Sequence, residues 1–251
     1  MAPAGFGGRV EGVHAVKAAL SAGRVTQLYV ERGRRDVEVF VEAARRTGAR
    51  LRLVDTVRGL AETDSPQGLV AKARPIRLRS LEQLLSARDD QVPPALLVLD
   101  HLQDPHNVGA MARSALAAGM TGMVVPRRRA APLSALALKA AAGSLERLPV
   151  ACVSSVATAA QQAAGAGLWT VGLHPSAGVP LFGLSLLEES VAVFVGAEGR
   201  GLGRLVGKRL DMLVSIPMAA ETGSLNAAVA AALACFEVRR VRRSGTNQVG
   251  R

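Results

Sequence analysis

Aromatic side chains make up only 3% of this 251-residue chain, too few to build the stacking platforms on which single-stranded nucleic acid is commonly held. Cysteine is almost missing: Cys152 and Cys235 stand far apart with no Cys-x-x-Cys, so neither a zinc site nor a disulfide framework is indicated, and a reducing compartment fits. No uncharged apolar run approaches the roughly 20 residues that a membrane span needs. Arg9, Glu11, His14 and Lys17 interrupt the N-terminal stretch, which excludes a signal-peptide core, and a cytoplasmic protein is expected. Lysine is scarce too, since Lys17, Lys72, Lys139 and Lys208 are its only representatives among 31 cations.

What is present is apolar mass and arginine. A 49% apolar content is ample for a buried core, in one large domain or two modest ones. The net charge of +11 is carried by arginine, whose planar fork suits bidentate contact with phosphate, so a polyanionic partner is favoured. The excess is uneven: residues 1–79 hold 15 Lys or Arg against 8 Asp or Glu, and residues 80–251 hold 16 against 12. The N-terminal segment thus reads as an RNA- or DNA-grasping module, with a merely solvated basic face as the alternative.

Residues 1–8 are rich in Gly and Ala and read as a mobile tail. The pattern then alternates: helix Val13–Ala22, strand Gln27–Val30, helix Val37–Thr47, strand Leu51–Val54, a short helix near Val57–Ala61, and strand Gln67–Ala73. This predicts a small α/β domain over residues 9–75, followed by a linker over 76–93. From residue 94 to 243 a second α/β domain is expected. Its strands are Ala95–Asp100, Gly122–Val125, Val150–Val153, Trp169–Leu173, Val191–Val195 and Leu213–Ile216, separated by helices near Val108–Ala118, Leu133–Ala142, Val156–Ala164 and Leu202–Arg209. Near-continuous apolar strands such as ALLVL point to an open, mostly parallel sheet covered on both faces. Residues 244–251 read as a second mobile tail.

Three stretches could carry chemistry. In DPHNVGAMAR, a helix starting near Asn107 turns Val108, Met111, Ala112, Ala115 and Leu116 to the core and leaves Arg113 outside; Gly109 and Ala110 leave room beside the guanidinium, so that ligand approach would account for Gly109. A surface salt bridge is the plainer role for Arg113. His101, Asp104 and His106 lack a second ligand group and carry an intervening Pro105, so no metal is expected. In VFVGAEGRGLGRL, the dinucleotide fingerprint fails at Arg204 and the phosphate-binding loop fails at Leu202 and Arg209. A flexible loop with a lone acid, Glu198, remains.

The third stretch, SIPMAAETGSLNAAVAAALACFEVRRVRR, runs from a strand end through a loop into a helix, the outline of a small-ligand site. Ser224 is the expected N-cap, with Leu225, Ala228, Val229, Ala232, Leu233 and Phe236 as one buried stripe. Asn226 falls in the first turn, where it orients a ligand or shares in capping. Arg127, Arg128 and Arg129 follow a strand end and are candidate RNA contacts.

Taken together, NVGAMAR, FVGAEGRGL and SIPMAAETGSLNAAVA resemble, in order, the three motifs of the TrmH/SpoU branch of the SPOUT RNA methyltransferases. The intervening RAAPLSALALKAAAGSLERLPV resembles that branch as well. GVHAVKAAL and QGLVA resemble the ribosomal-protein-like RNA-binding domain of its ribosomal RNA ribose methylases, so the resemblance covers residues 9 to 243. It implies a catalytic domain with a deep C-terminal trefoil knot and a homodimer joined at the knots. It also implies S-adenosylmethionine bound against Gly196, Ile216, Pro217, Met218 and Leu225. Catalytic roles fall on Asn107, Arg113, Glu198, Ser224 and Asn226, and no metal is needed. The family usually assigns Arg113 to activating the ribose 2'-hydroxyl. A guanidinium with a pKa above 12 is a poor base, so either Arg113 fixes the neighbouring phosphate and stabilises the developing alkoxide, or a desolvated Arg113 removes the proton. Ala220, Ala141 and Pro66 depart from the family pattern.

The implied function is S-adenosylmethionine-dependent 2'-O-ribose methylation of a guanosine in 23S ribosomal RNA. The alternatives are a transfer RNA 2'-O-methyltransferase, a resistance methylase acting on a ribosomal RNA adenosine, a non-catalytic ribosome- or RNA-binding protein, and a nucleotide-dependent oxidoreductase. The failed fingerprint disfavours the last. The globular N-terminal domain disfavours a transfer RNA target, because transfer-RNA members of the branch typically carry short terminal helices instead.

Overall fold

The structure, a computed structural model, describes residues 6–86, 92–127, 133–219 and 224–246. The chain divides into two compact units: residues 1–77, 104–113 and 131–147 form the first, and residues 78–103, 114–130 and 148–251 the second.

In the first unit, β1 (Arg9–Glu11), α1 (Val13–Ser21), β2 (Val25–Glu31), α2 (Val37–Thr47), β3 (Arg50–Val54) and β4 (Leu69–Ala73) make a four-stranded sheet of order β1-β4-β2-β3. The strand β1 was not expected from the sequence. β4 runs antiparallel to β1 and β2, whereas β2 and β3 are parallel with α2 as their crossover. One face buries Val10, Leu28, Val30, Leu69 and Ala71, and α1 and α2 supply Val16, Leu20, Phe40 and Ala44. Strand residues two apart, such as Leu28 and Val30 or Leu69 and Ala71, meet helix residues four apart, such as Val16 and Leu20 or Phe40 and Ala44, on that face. Gly48 ends α2 in the left-handed region, as a helix C-terminus favours.

The second unit opens with α3 (Leu81–Leu85) inside the stretch expected to be a linker; Ser80 and Gln83 cap it reciprocally, and Leu84 and Leu85 are buried. Next come β5 (Ala95–Leu99), α4 (Pro105–Ala118), whose first part counts with the first unit, β6 (Gly122–Pro126) and α5 (Ala135–Ala140), also of the first unit. β7 (Val150–Val153), α6 (Val156–Gly165), β8 (Trp169–Leu173), β9 (Val179–Pro180), β10 (Val191–Val195), α7 (Arg204–Gly207), β11 (Met212–Ser215) and α8 (Ala227–Thr246) complete the chain. The seven-stranded sheet has the order β7-β6-β5-β10-β8-β11-β9, with every pairing parallel. From β5 the chain first steps outward to β6 and β7, then crosses to β8, and only later inserts β10 between β5 and β8. This reversal of direction opens a crevice at the carboxyl ends of the middle strands, where open α/β sheets bind ligands.

Leu96, Val98, Ala192 and Phe194 pack on one face with α6 residues Val156, Ala157, Ala160 and Ala163. On the other, α8 lies along β10 and β5. Its far end is held by Arg242, whose guanidinium donates to the carbonyls of Pro93 (2.7 Å), Pro94 (3.1 Å), Leu187 (3.2 Å) and Glu189 (2.7 Å) at the amino ends of β5 and β10.

The stripe expected to be buried on α8 is corrected. Ala227, Ala231, Ala234, Cys235, Val238 and Val241 face the core, whereas Val229, Leu233 and Phe236 are 48%, 36% and 47% exposed. Residues 227–236 are all apolar, so periodicity selects no face; size does, because small side chains let the helix lie close to the sheet. Burial pushes the Cys235 thiol up to about 12, so it behaves as an inert core residue.

Candidate active site

The crevice is walled by four strand-end segments of the second unit. Leu173 ends β8, and His174 and Pro175 follow it; Val195 ends β10, and Gly196 to Gly201 follow it; Val214, Ile216 and Met218 come from β11 and its continuation; Ser224 and Leu225 lead into α8, which supplies Ala227 and Ala230. Its volume is about 300 Å³, at the small end of ligand pockets.

The β10 loop turns back on itself immediately. A Cβ on Gly196 would stand 2.1 Å from the carbonyl carbon of Gly201, so only glycine is accommodated. The hook closes through an antiparallel bridge between Ala197 and Gly201, with the Gly201 amide donating to the Ala197 carbonyl at 2.8 Å and Gly199 and Gly201 in the left-handed region. Its far end is tied by Asp100, 2% exposed at the end of β5, whose Oδ2 accepts from the Gly203 amide at 2.8 Å. The sequence reading missed that anchor; its signal was a carboxylate terminating the apolar run ALLVLD. His101 Nδ1 sits 2.7 Å from Asp100 Oδ1 without meeting hydrogen-bond geometry.

The near side of the hook is tied to α8. Glu198 Oε1 accepts from Asn226 Nδ2 at 2.5 Å and from the Ala227 amide at 3.3 Å. Asn226 Oδ1 in turn accepts from the amides of Ala228 (2.9 Å) and Val229 (3.2 Å). Asn226, not Ser224, therefore caps α8, and capping is what orients its amide: with Oδ1 committed to the helix, Nδ2 must face Glu198. The Glu198 carboxylate also lies at the positive end of the helix dipole. Of the two roles weighed for Asn226, capping is the one its contacts show.

Glu198, Gly196, Ile216, Met218, Ser224 and Leu225 thus line one crevice, and Asn226 braces it; Pro217, between two lining residues, is exposed. Asn107 and Arg113 lie on α4, where Asp104 caps the first turn through the His106 amide (2.9 Å) and Pro105 takes the first helical position. Val108, Met111, Ala112 and Ala115 are buried and Arg113 is exposed, with no hydrogen-bond or ion-pair partner among the described residues. Gly109 is corrected: a Cβ there would lie 2.3 Å from the Ala137 carbonyl oxygen, so it serves close approach of α5 rather than of a ligand. Arg127 is exposed beside Cys152, whose thiol burial raises; Arg128, Arg129 and Ala220 lie outside the described residues. Among the described residues no cluster of His, Cys, Asp or Glu could hold a metal ion, and no helix is long and apolar enough to cross a membrane.

Residues 94–236 match the SpoU rRNA Methylase family, and residues 9–79 match the family described as RNA 2'-O ribose methyltransferase substrate binding. The chain belongs to the SpoU rRNA methylase family. A relative from Ralstonia nicotianae, the 23S rRNA (guanosine-2'-O-)-methyltransferase RlmB, is 38% identical over 238 residues, covering 92% of this chain and 94% of its own. The RlmB of Pseudomonas aeruginosa is 39% identical over 246 residues, covering 93% and 96%. Among solved structures, the SpoU methyltransferase AviRb from Streptomyces viridochromogenes in complex with AdoMet is similar with a TM-score of 0.76 at 26% identity, covering 94% of this chain and 91% of that one. As a SpoU methylase, the chain is an RNA 2'-O-ribose methyltransferase that uses S-adenosylmethionine.

Proposed function

We propose that this SpoU methylase transfers the methyl group of S-adenosylmethionine to the ribose 2'-oxygen of a guanosine in 23S ribosomal RNA, in the cytoplasm and as a homodimer. The observation that carries the reading is the convergence of the second and third family motifs on one crevice, in a chain whose relatives of that name align over more than nine tenths of both lengths. The crevice suits the donor: Leu173, Val195, Val214, Ile216 and Leu225 offer an apolar wall for a purine, and Glu198 places a carboxylate where a sulfonium cation would be attracted. Gly196, Ile216, Pro217, Met218 and Leu225 are assigned to hold it, Ser224 to present a hydroxyl at the rim, and Glu198 with Asn226 to lock the two walls.

Bound there, S-adenosylmethionine supplies an electrophilic methyl carbon. The chain's own task is to bring the sugar oxygen into line with it, a form of positioning that contributes roughly 7 to 11 kcal/mol in favourable cases. Arg113, exposed and without an internal partner among the described residues, is suited to take an external phosphate and to stabilise the alkoxide as the 2'-proton leaves. Asn107, on the first turn of the same helix, is assigned to orient the ribose.

The apolar ridge of Val229, Leu233 and Phe236 on α8 supports the homodimer, since a second copy would take it out of water. The late insertion of β10 between β5 and β8 supports the knotted path that the family implies. Calorimetric titration with S-adenosylhomocysteine, NADH and ATP tests the site: binding of the first alone is expected, and binding of either nucleotide in its place would overturn the assignment. Mapping of ribose methylation in ribosomal RNA from cells with and without the protein tests the target, and the expected result is the loss of one 2'-O-methylguanosine.

A further inference from the structure

The first unit carries charge in a specific place. Strand register puts directly paired residues on the same face of a sheet. Arg9 on β1 pairs with Lys72 on β4, Lys72 with Gln27 on β2, and Gln27 with Arg50 on β3. One row therefore crosses all four strands as Arg, Lys, Gln, Arg, and Arg52, two residues further along β3, joins it on the same face. This is the face opposite the one that buries Val10, Leu28 and Ala71 against α1 and α2. Its other end is covered by the small cluster of Tyr29, Val57 and Val70, but Lys72, Arg50 and Arg52 are exposed.

Arg9 is engaged by Glu62 at 3.2 Å and by the Leu60 carbonyl. Lys72, Arg50 and Arg52 have no acidic or hydrogen-bonding side-chain partner among the described residues. Like charges facing each other across strands, as Arg9 and Lys72 do, work against the sheet. With strands about 4.8 Å apart and residues about 3.3 Å apart along a strand, the three unpartnered cations stand within roughly 12 Å of one another. Arg45 and Arg46, equally basic and exposed, project instead from α2, on the helical side of the sheet.

We infer that this open sheet face, through Lys72, Arg50 and Arg52 with Gln27 between them, is the surface on which the first unit grips the sugar-phosphate backbone of its RNA. The inference rests on the reading of the chain as an RNA methyltransferase and names the side chains that hold the substrate. Such contacts fix register and orientation without reading bases, which matches a surface of three cations and one amide and no exposed aromatic. Each cation that neutralises a phosphate displaces bound counterions, so binding weakens with salt in proportion to the number of contacts.

The test compares K72Q/R50Q/R52Q with R45Q/R46Q, titrating each against protein-free 23S ribosomal RNA transcribed in vitro over a range of salt. The triple variant is expected to lose about 3 from the slope of log affinity against log salt, near 1 for each charge, and to bind about tenfold or more weakly at moderate salt. The helix variant should shift the slope by less than 1. A triple variant with the wild-type slope, or a helix variant that loses as much per charge, overturns the inference. Should the triple variant fold poorly, the three single variants carry the test, each expected to lower the slope by about 1. Titration with S-adenosylhomocysteine, run alongside, separates the two levels: its failure in the wild-type protein sinks the methyltransferase site, whereas an intact titration with an unchanged salt slope sinks only the RNA surface.

Discussion

Replacing Asn226 by Asp separates the two tasks the structure gives this side chain. Aspartate caps helices about as well as asparagine, so its remaining oxygen can still accept from the Ala228 and Val229 amides and α8 keeps its first turn. What is lost is the donor to Glu198, now faced at 2.5 Å by a second carboxylate. A charge-assisted hydrogen bond is worth about 1.5 to 3 kcal/mol, discounted toward about 1 because both groups are exposed. Two like charges about 4 Å apart add roughly 1 kcal/mol in water. The walls of the crevice are thus released at a cost of about 2 kcal/mol, and S-adenosylhomocysteine must draw them together again, which predicts an approximately 30-fold weaker Kd by calorimetry. The melting temperature should fall by roughly 4 to 8 °C. Glu198→Gln in the N226D background removes the repulsion and restores a donor, so the double variant should recover most of the affinity. Wild-type affinity in N226D, or no recovery in the double variant, would refute the reasoning.

Gly196→Ala drives a methyl into the Gly201 backbone, so the hook cannot close, and S-adenosylhomocysteine binding should fall by about 100-fold or more while far-ultraviolet circular dichroism is retained. Gly109→Ala forces a Cβ against the Ala137 carbonyl; overpacking of this kind costs about 1 to 3 kcal/mol, and the melting temperature should drop by roughly 2 to 4 °C per kcal/mol with the crevice intact. The Glu237 carboxyl is held below its usual range, first by the Arg240 guanidinium and then by the Gly183 amide, against the opposing effect of burial. Its contribution to stability is therefore complete above the ordinary carboxylate pKa of about 4.3 and is lost as pH falls through the lower folded value. Denaturant titrations should show Glu237→Gln less stable than wild type at pH 7, with the gap closing in acid.

Fold class was legible because alternating strand and helix patterns are local, and runs such as Ala95–Leu99 are buried along their whole length. What escaped the sequence depends on contacts between distant residues. Asp100 and Gly203 meet only because β5 and β10 are neighbours, so the carboxylate that ends ALLVLD signals an anchor without naming its partner. Gly109 could be read as room for a ligand or for a helix, and only the position of α5 decides. On α8 an uninterrupted apolar run hid which side chains face inward. The two-residue strand β9 is too short for any pattern. For the crevice, single residues were ambiguous taken one at a time, since an acid in a loop or an amide in a first turn has common structural roles. Glu198 and Asn226 turned out to hold each other.

The most direct test is transfer of a labelled methyl group from S-adenosylmethionine to unmodified 23S ribosomal RNA, with the product nucleoside identified by mass spectrometry, in wild-type protein and in Arg113→Ala. The account predicts a single 2'-O-methylguanosine with the wild type. With Arg113→Ala it predicts at least a 100-fold slower reaction and an unchanged affinity for S-adenosylhomocysteine. Label on a base, or full activity without the Arg113 guanidinium, would contradict it.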